Sequence, residues 1–404
     1  MEDKFIFKLT DDVSWVGILD RDIVTFDIVM ETEYGTTYNS YFIDSEKPCL
    51  IETAKEKFWD VYKNKLEKVT DISKLEYIVL DHTEPDHSGS LKYLLELAPD
   101  VTVVGTGQAI KYLNEIVGKP FKHQVVKHGD TIDLGNKTLK FIGAPNLHWP
   151  DSMYTWLEED KILFTCDSFG AHYCSDVMID SEVDQDAYAA SFKYYFDVIL
   201  RPFSKFMLKA IEKIRPLDIN IIAPGHGPVL RDHWKEKVDI SEKYAREYVE
   251  ANEHQAPKAL LAYVSAYGYT KEMAEAIAEG LTEEGVEPVI LDIETIPAGE
   301  LDSHITAADA IMVGCPTLNQ NVLLPVYRMF ALINPIRDKK KIATSFGSYG
   351  WSGEGVKIMQ PILSNLKLKT PLEPMAMKFR PNEESRMELI EYGRAFAREM
   401  KHDK

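Results

Sequence analysis

Residues 77–87 read Y-I-V-L-D-H-T-E-P-D-H, and the placement of this segment decides the fold of the first half of the chain. Tyr77–Leu80 is a short apolar β-like run that leads directly into a loop carrying His82, Glu84, Asp86 and His87 within six positions. A strand that ends in a polar loop lets a rigid sheet aim several side chains at one point. The arrangement recurs downstream, with His148 in N-L-H-W-P, Asp167 closing K-I-L-F-T-C-D, and His226 in A-P-G-H-G-P. Any one of them alone reads as a cap or a hydrogen-bonded loop residue. Together, each just after a strand, they point to a metal site.

Around this segment, from Lys4–Leu9 to about Leu230, β-like runs (Tyr38–Ile43, Thr102–Val104, Thr138–Ile142, Ile162–Phe164, Ile219–Ala223) lie among helical patterns such as Ser88–Leu97 and Gly107–Ile116. That grammar predicts layered α and β structure. The charged, helix-prone stretch Asp232–Asn252 ends in H-Q-A-P, and Gln255–Pro257 is the expected domain boundary, because proline cannot continue a helix. The expected domains are therefore residues 1–254 and 255–404. After the boundary, the strand runs Lys258–Val264, Val286–Ile293, Ala310–Val313 and Ile342–Ser345 alternate with helical segments, among them Thr270–Glu284 and a closing helix over Glu383–Met400. Such alternation predicts a parallel, doubly wound sheet.

The 404 residues exceed what one hydrophobic core serves, in keeping with two domains. Sixty-five acidic against 46 basic residues leave a net charge of −19, which disfavours nucleic acid and anionic membrane surfaces as partners. The charged start M-E-D-K-F-I-F-K is unlike a signal peptide and no long apolar span follows, so a cytoplasmic location is expected. Cys49, Cys166, Cys174 and Cys315 form no C-x-x-C pair, which removes a rubredoxin-type iron site or zinc ribbon. Cys166, one position before Asp167, is expected to face the other way.

The order H-x-E-x-D-H, His, Asp, His resembles the metallo-β-lactamase superfamily over roughly residues 35–231, which implies an αββα sandwich. Hydrolytic members usually carry a histidine where this chain has Glu84. Four histidines and three carboxylates make a harder donor set that supports iron, although carboxylates also bind zinc. The resemblance implies that His82, Glu84 and His148 hold one metal, that Asp86, His87 and His226 hold the other, and that Asp167 bridges them. His172 in S-F-G-A-H and Tyr195 are candidate catalytic groups that would donate a proton or hydrogen bond to bound oxygen.

Directly after Lys258–Val264 comes S-A-Y-G-Y-T. Ser265, Tyr267, Gly268, Tyr269 and Thr270 there open a helix whose N–H groups and hydroxyls can surround a phosphate without Lys or Arg. No G-x-G-x-x-G is present, which favours FMN over a dinucleotide. Two further loops, C-P-T-L-N with Pro316, Thr317, Leu318 and Asn319, and G-S-Y-G-W-S-G-E with Ser348, Tyr349, Gly350, Trp351, Ser352 and Gly353, are expected at the carboxyl edge of the sheet. Tyr349 and Trp351 would pack on the isoalloxazine, and Gly347 and Gly350 would permit close backbone approach. The three loops resemble those of flavodoxins from residue 258 to about 400.

Zinc has no accessible redox change, so a flavin unit attached to the metal unit argues for iron. The combination resembles the flavodiiron proteins (A-type flavoproteins) over almost the whole chain. That resemblance implies FMN, two iron ions and four-electron reduction of dioxygen to water, or reduction of nitric oxide. It also implies a head-to-tail homodimer, or a dimer of dimers, in which the flavin of one subunit serves the iron pair of the other. The motifs H-T-E-P-D-H and S-A-Y-G-Y-T look closest to those of methanogen enzymes that oxidise reduced coenzyme F-420, a deazaflavin, in oxygen detoxification. Rubredoxin is the competing donor. The other readings weighed are a nitric oxide reductase, a zinc hydrolase with a flavodoxin-like regulatory domain, and an electron carrier with an inactive metal pocket.

Overall fold

The computed structural model describes residues 5–26, 30–251 and 256–402. The chain divides into two compact units, Met1–Val249 and Glu250–Lys404. The expected boundary between 254 and 255 lies outside the described residues, as do the ends of two expected elements at Lys4 and Asn252.

In the first unit, a seven-stranded sheet has the order Phe7–Lys8, Val13–Trp15, Tyr41–Ile43, Cys49–Ile51, Tyr77–Val79, Thr102–Gly105, His123–Val125. A five-stranded sheet has the order Thr131–Asp133, Thr138–Gly143, Met153–Leu157, Ile162–Cys166, Ile221–Pro224. Both mix parallel and antiparallel pairs. Side chains alternate across each strand. Cys49, Ile51 and Val79 join Leu139, Phe141 and Phe164 in one core, while Leu50, Ile78 and Ile142 pack in another with helix residues Leu66, Leu94, Leu113 and Met207. Sheet on sheet with helices outside is the αββα sandwich.

Two expected elements break where the backbone has other work. The run Tyr38–Ile43 is two strands, Thr36–Tyr38 and Tyr41–Ile43. Between them Asn39 donates its N–H to Gly225 O (2.9 Å) and Nδ2 to Pro224 O (2.7 Å) and Gly227 O (2.9 Å), which ties it to the loop carrying His226. The helix Ser88–Leu97 is two helices, Pro85–Ser88 and Leu91–Leu97. Ser90 N–H donates to Ala54 O at 3.0 Å, and a Cβ at Gly89 would lie 2.8 Å from Glu56 N, so the chain turns where it crosses residues 54–56.

In the second unit, five parallel strands have the order Glu287–Asp292, Lys258–Tyr263, Ala310–Gly314, Ile342–Tyr349, Met375–Lys378. Leu260 and Ala262 face one hydrophobic layer, Ala259 and Leu261 the other, so helices cover both faces. The strand expected over Ile342–Ser345 continues to Tyr349, so Gly347 and Ser348 lie in the sheet rather than in a loop. A Cβ at Gly347 would sit 2.0 Å from Cys315 O, so the contact between neighbouring segments already requires glycine there. Among the described residues, no helix is long and apolar enough to cross a membrane.

Candidate metal centre and flavin site

The seven residues singled out in the first unit come together. His82, Glu84, His148 and Asp167 place ligand atoms within 4.8 Å of one another, as do Asp86, His87 and His226. Asp167 stands between the groups with one oxygen for each. Its Oδ2 lies 3.1 Å from His148 Nε2 and 3.6 Å from His82 Nε2. Its Oδ1 lies 3.1 Å from His87 Nε2 and 3.4 Å from His226 Nε2. Glu84 Oε2 is 3.2 Å from His82 Nε2, and Asp86 Oδ2 is 3.2 Å from His226 Nε2. Local structure explains the convergence: every one of these side chains lies in the loop or short helix that follows a strand.

His82 pairs with Glu84 and His148 with Asp167 Oδ2, but other polar atoms of this pocket are left over. Both oxygens of Asp86, Oδ1 of Asp167 and Nε2 of His87 are buried without a hydrogen-bond partner among the described residues. Such groups are costly to bury unless a cation answers them. Burial resists ionisation of Asp167, but His87, His148 and His226 outweigh it and hold the carboxyl well below the usual range. Burial likewise opposes protonation of His82, yet Asp151, Glu84 and Asp167 push it up to about 10; for His226, Asp167 and Asp86 raise it to about 9. A metal cation among the same carboxylates takes over that stabilising role and releases the protons. The donor set, the orphaned atoms and their convergence fit a pair of hard metal ions.

Three groups that sequence reasoning missed hold the histidines from behind. Asp151 Oδ2 lies 3.4 Å from His82 Nδ1 and accepts from Thr83 N–H and Oγ1, both at 2.8 Å. Thr37 O lies 2.5 Å from His226 Nδ1, and Glu52 Oε2 lies 3.3 Å from His87 Nδ1. Partners of this kind set which ring nitrogen faces the metal. Cys166 and Asp167 straddle His87, with Cys166 Sγ 3.8 Å from Nδ1 while Asp167 faces Nε2, so the cysteine does point away from the pocket.

His172 and Tyr195 reach the same neighbourhood. The His172 ring lies 5.1 Å from that of His226 and 4.8 Å from that of Tyr195. His172 Nδ1 is 2.8 Å from Thr36 Oγ1, while its Nε2 and the Tyr195 hydroxyl are buried without hydrogen-bond partners among the described residues. Burial, reinforced by His226, depresses the His172 pKa well below its ordinary value; burial, reinforced by Asp167, raises that of Tyr195 well above.

In the second unit, the three loops singled out follow the strands Lys258–Tyr263, Ala310–Gly314 and Ile342–Tyr349, at the edge where strand order reverses. The helix Tyr269–Glu283 starts at Gly268, which has φ +84° and gives no side-chain cap, so among the described residues the N–H groups of Tyr269 and Thr270 stay available to an anion. Ser265 Oγ accepts from Lys271 N–H (3.2 Å), and the buried Thr270 and Ser348 hydroxyls bond each other at 2.9 Å. Thr317 Oγ1 accepts from Gly355 N–H at 3.1 Å, fastening the second loop to the third; Pro316 is buried, Leu318 half-buried and Asn319 exposed at φ +52°. Tyr349, Gly350, Ser352 and Gly353 are half-buried, as is Tyr269. Tyr267 and Trp351 are 77% and 83% exposed, so these aromatic faces are not part of the unit's own core.

Comparison with known proteins agrees with this division. Residues 36–227 match the profile of the ODP family beta lactamase, and residues 261–393 match that of flavodoxin. The chain is 38% identical over 399 residues to flavo-diiron protein FprA2 of Clostridium acetobutylicum, covering 97% of this chain and 98% of that one. It is 34% identical to a nitric oxide reductase of Moorella thermoacetica, covering 96% and 97%. The rubredoxin oxygen:oxidoreductase of Desulfovibrio gigas superposes with a TM-score of 0.69 at 29% identity, covering 99% of both chains. A metallo-β-lactamase-like unit followed by a flavodoxin-like unit defines a flavin- and metal-dependent oxidoreductase. The chain belongs to the flavodiiron protein family, whose cofactors are FMN and a diiron centre.

Proposed function

We propose that this protein reduces dioxygen to water with electrons that enter at FMN, and that the donor is reduced coenzyme F-420. The observation that carries the reading is Asp167, whose two oxygens face two separate sets of ligand atoms. His82, Glu84 and His148 would hold one iron, Asp86, His87 and His226 the other, and Asp167 would be shared between them. When bound, the irons supply a redox-active place for dioxygen and FMN, a one- and two-electron carrier, replenishes their electrons. His148 and Glu84 are the less buried members of the cluster, which makes their side the approach for a small diatomic. Tyr195 keeps its proton on the phenolic oxygen and His172 Nε2 has no partner among the described residues, so both could hydrogen-bond at the pocket wall.

In the flavin unit, the N-terminal turn of Tyr269–Glu283 with Ser265 and Thr270 would hold the phosphate of FMN, Thr317 and Asn319 would bond the ribityl chain or ring, and Tyr349 and Trp351 would pack against the isoalloxazine. Residues 1–254 form the diiron domain and 255–404 the FMN-binding domain. The working unit is a cytoplasmic head-to-tail homodimer, or a dimer of such dimers, in which exposed Trp351 and Tyr267 surround a flavin serving the partner's irons.

The wording of H-T-E-P-D-H and S-A-Y-G-Y-T supports the deazaflavin donor and an oxygen-detoxifying role in a methanogen. The relative named a nitric oxide reductase and the structure named a rubredoxin oxygen:oxidoreductase support the alternative, nitric oxide as acceptor or rubredoxin as donor. Anaerobic stopped-flow separates them. Mixing reduced deazaflavin with the iron-loaded protein is expected to bleach the flavin absorbance rapidly, and oxygen is expected to restore it faster than nitric oxide does. No bleaching until rubredoxin is added would replace the donor.

A further inference from the structure

Glu52 ends the strand Cys49–Ile51 in a conformation that side chains rarely adopt, with φ +60°, and it is almost fully buried. The surroundings fix this backbone. Glu52 N–H donates to Val79 O at 2.9 Å, and its carbonyl accepts from Ser40 Oγ at 2.8 Å, itself 2.7 Å from Tyr62 OH. A strained, buried carboxylate held so firmly is more than filler, since both the strain and the burial count against it.

Its two oxygens have different neighbours. Oε1 accepts the N–H of Asp81 at 2.6 Å, at the mouth of the loop that carries His82, Glu84, Asp86 and His87. Oε2 lies 3.3 Å from His87 Nδ1, within ion-pair distance but not aligned as a hydrogen bond, and it has no hydrogen-bond donor among the described residues. On the far side of the same ring, His87 Nε2 faces Asp167 Oδ1 at 3.1 Å and Asp86 Oδ2 at 3.6 Å. The remaining neighbour of Nδ1, the Cys166 thiol at 3.8 Å, is a weak partner by comparison.

We propose that Glu52 is the positioning residue for His87: one oxygen braces the ligand loop, while the other accepts Nδ1–H and so leaves the Nε2 lone pair facing the metal. The inference rests on the reading that His87 is an iron ligand. It explains why a carboxylate occupies a site where a neutral acceptor would suffice for the brace alone. An anionic acceptor behind a ligating imidazole fixes its tautomer and raises its basicity.

The deciding variant is Glu52→Gln in the full-length, iron-reconstituted protein. The amide oxygen can still accept from Asp81 N–H, which turns the NH2 group towards His87 Nδ1. That nitrogen must then be the acceptor, and the proton moves to Nε2, where it blocks the metal. Chelator competition is expected to show one iron per chain bound about 10- to 100-fold more weakly and the other unchanged, with an altered Mössbauer signature and an unshifted FMN spectrum. His87→Ala, run alongside, is expected to lose the same iron. If His87→Ala loses an iron and Glu52→Gln keeps both at full affinity, Glu52 does not position the ring. If His87→Ala also keeps both, the ligand assignment itself fails. Should Glu52→Gln not fold, nitrogen-15 NMR of histidine-labelled wild type loaded with zinc still decides, since a His87 with Nδ1 unprotonated overturns the proposal and one with Nδ1 protonated and Nε2 metallated is the expected result.

Discussion

Asp167→Ala abolishes oxygen consumption while FMN stays bound and the protein stays folded. Asp167 is the one side chain shared by both groups of ligand atoms, with His148 and His82 against Oδ2 and His87 and His226 against Oδ1. Loss of a group that merely orients a ligand already costs about 10- to 100-fold in metal affinity or activity. Removing the carboxylate that serves both metals therefore exceeds that range, and it also leaves four imidazoles around a site with one negative charge fewer. Replacing His148 alone touches a single set and is expected to be milder. Iron content, oxygen uptake and flavin absorbance measured on one preparation check the point. Turnover retained in Asp167→Ala would remove the bridging assignment.

Gly280→Leu unfolds the flavodoxin-like unit at a much lower temperature and releases FMN. The helices Tyr269–Glu283 and Glu383–His402 cross at paired glycines. A Cβ at Gly280 would lie 1.9 Å from Ile390 O, and one at Gly393 would lie 2.1 Å from Ile277 O. Both obstacles are backbone and cannot rotate aside. Ion pairs along the crossing, such as Arg394–Glu283 at 2.6 Å and Arg386–Glu279, are exposed and contribute little, so they cannot hold the helices against a wedge. Alanine would gain about 1 kcal/mol in helix propensity, which partly offsets an overpacking cost of about 1–3 kcal/mol. Leucine gains no more and adds three further carbons, so its net cost is the larger. Thermal melting followed by flavin fluorescence measures it; an unchanged melting temperature would mean that the helices part freely.

The metal site was readable because its chemistry is written at strand ends. An apolar run stopping at a histidine or carboxylate is visible without any structure, and its repetition made the pattern decisive. Glu52 follows the same rule, at the end of C-L-I, and Asp151 stands in a loop just after H-W-P, but a single acid has no spacing that separates it from a solvated residue. Thr37 was beyond reach in principle, because it acts through its carbonyl, which every residue owns. The break at Asn39 was hidden for a related reason, since the turn is made by bonds to residues 224–227, far away in sequence. In the second unit, the run Lys258–Val264 was plain because it is apolar on both faces. The edge strand Met375–Lys378 was not, because only Met377 is buried. Gly347 was read as permitting close backbone approach, but its nearest partner, Cys315 O, could not be read because it lies 32 positions away.

The central claim is that electrons entering at the flavin leave by four-electron reduction of dioxygen, and the most direct measurement is the stoichiometry of turnover. With reduced deazaflavin in limited supply, an oxygen electrode and a peroxide assay are read together on the iron-loaded protein. Two donor molecules oxidised per dioxygen consumed, with no peroxide, is the predicted result, since two two-electron donors and one dioxygen give two waters. One donor per dioxygen with peroxide accumulating would contradict it, because the flavin alone would then be passing electrons to oxygen and the diiron centre would stand outside the reaction.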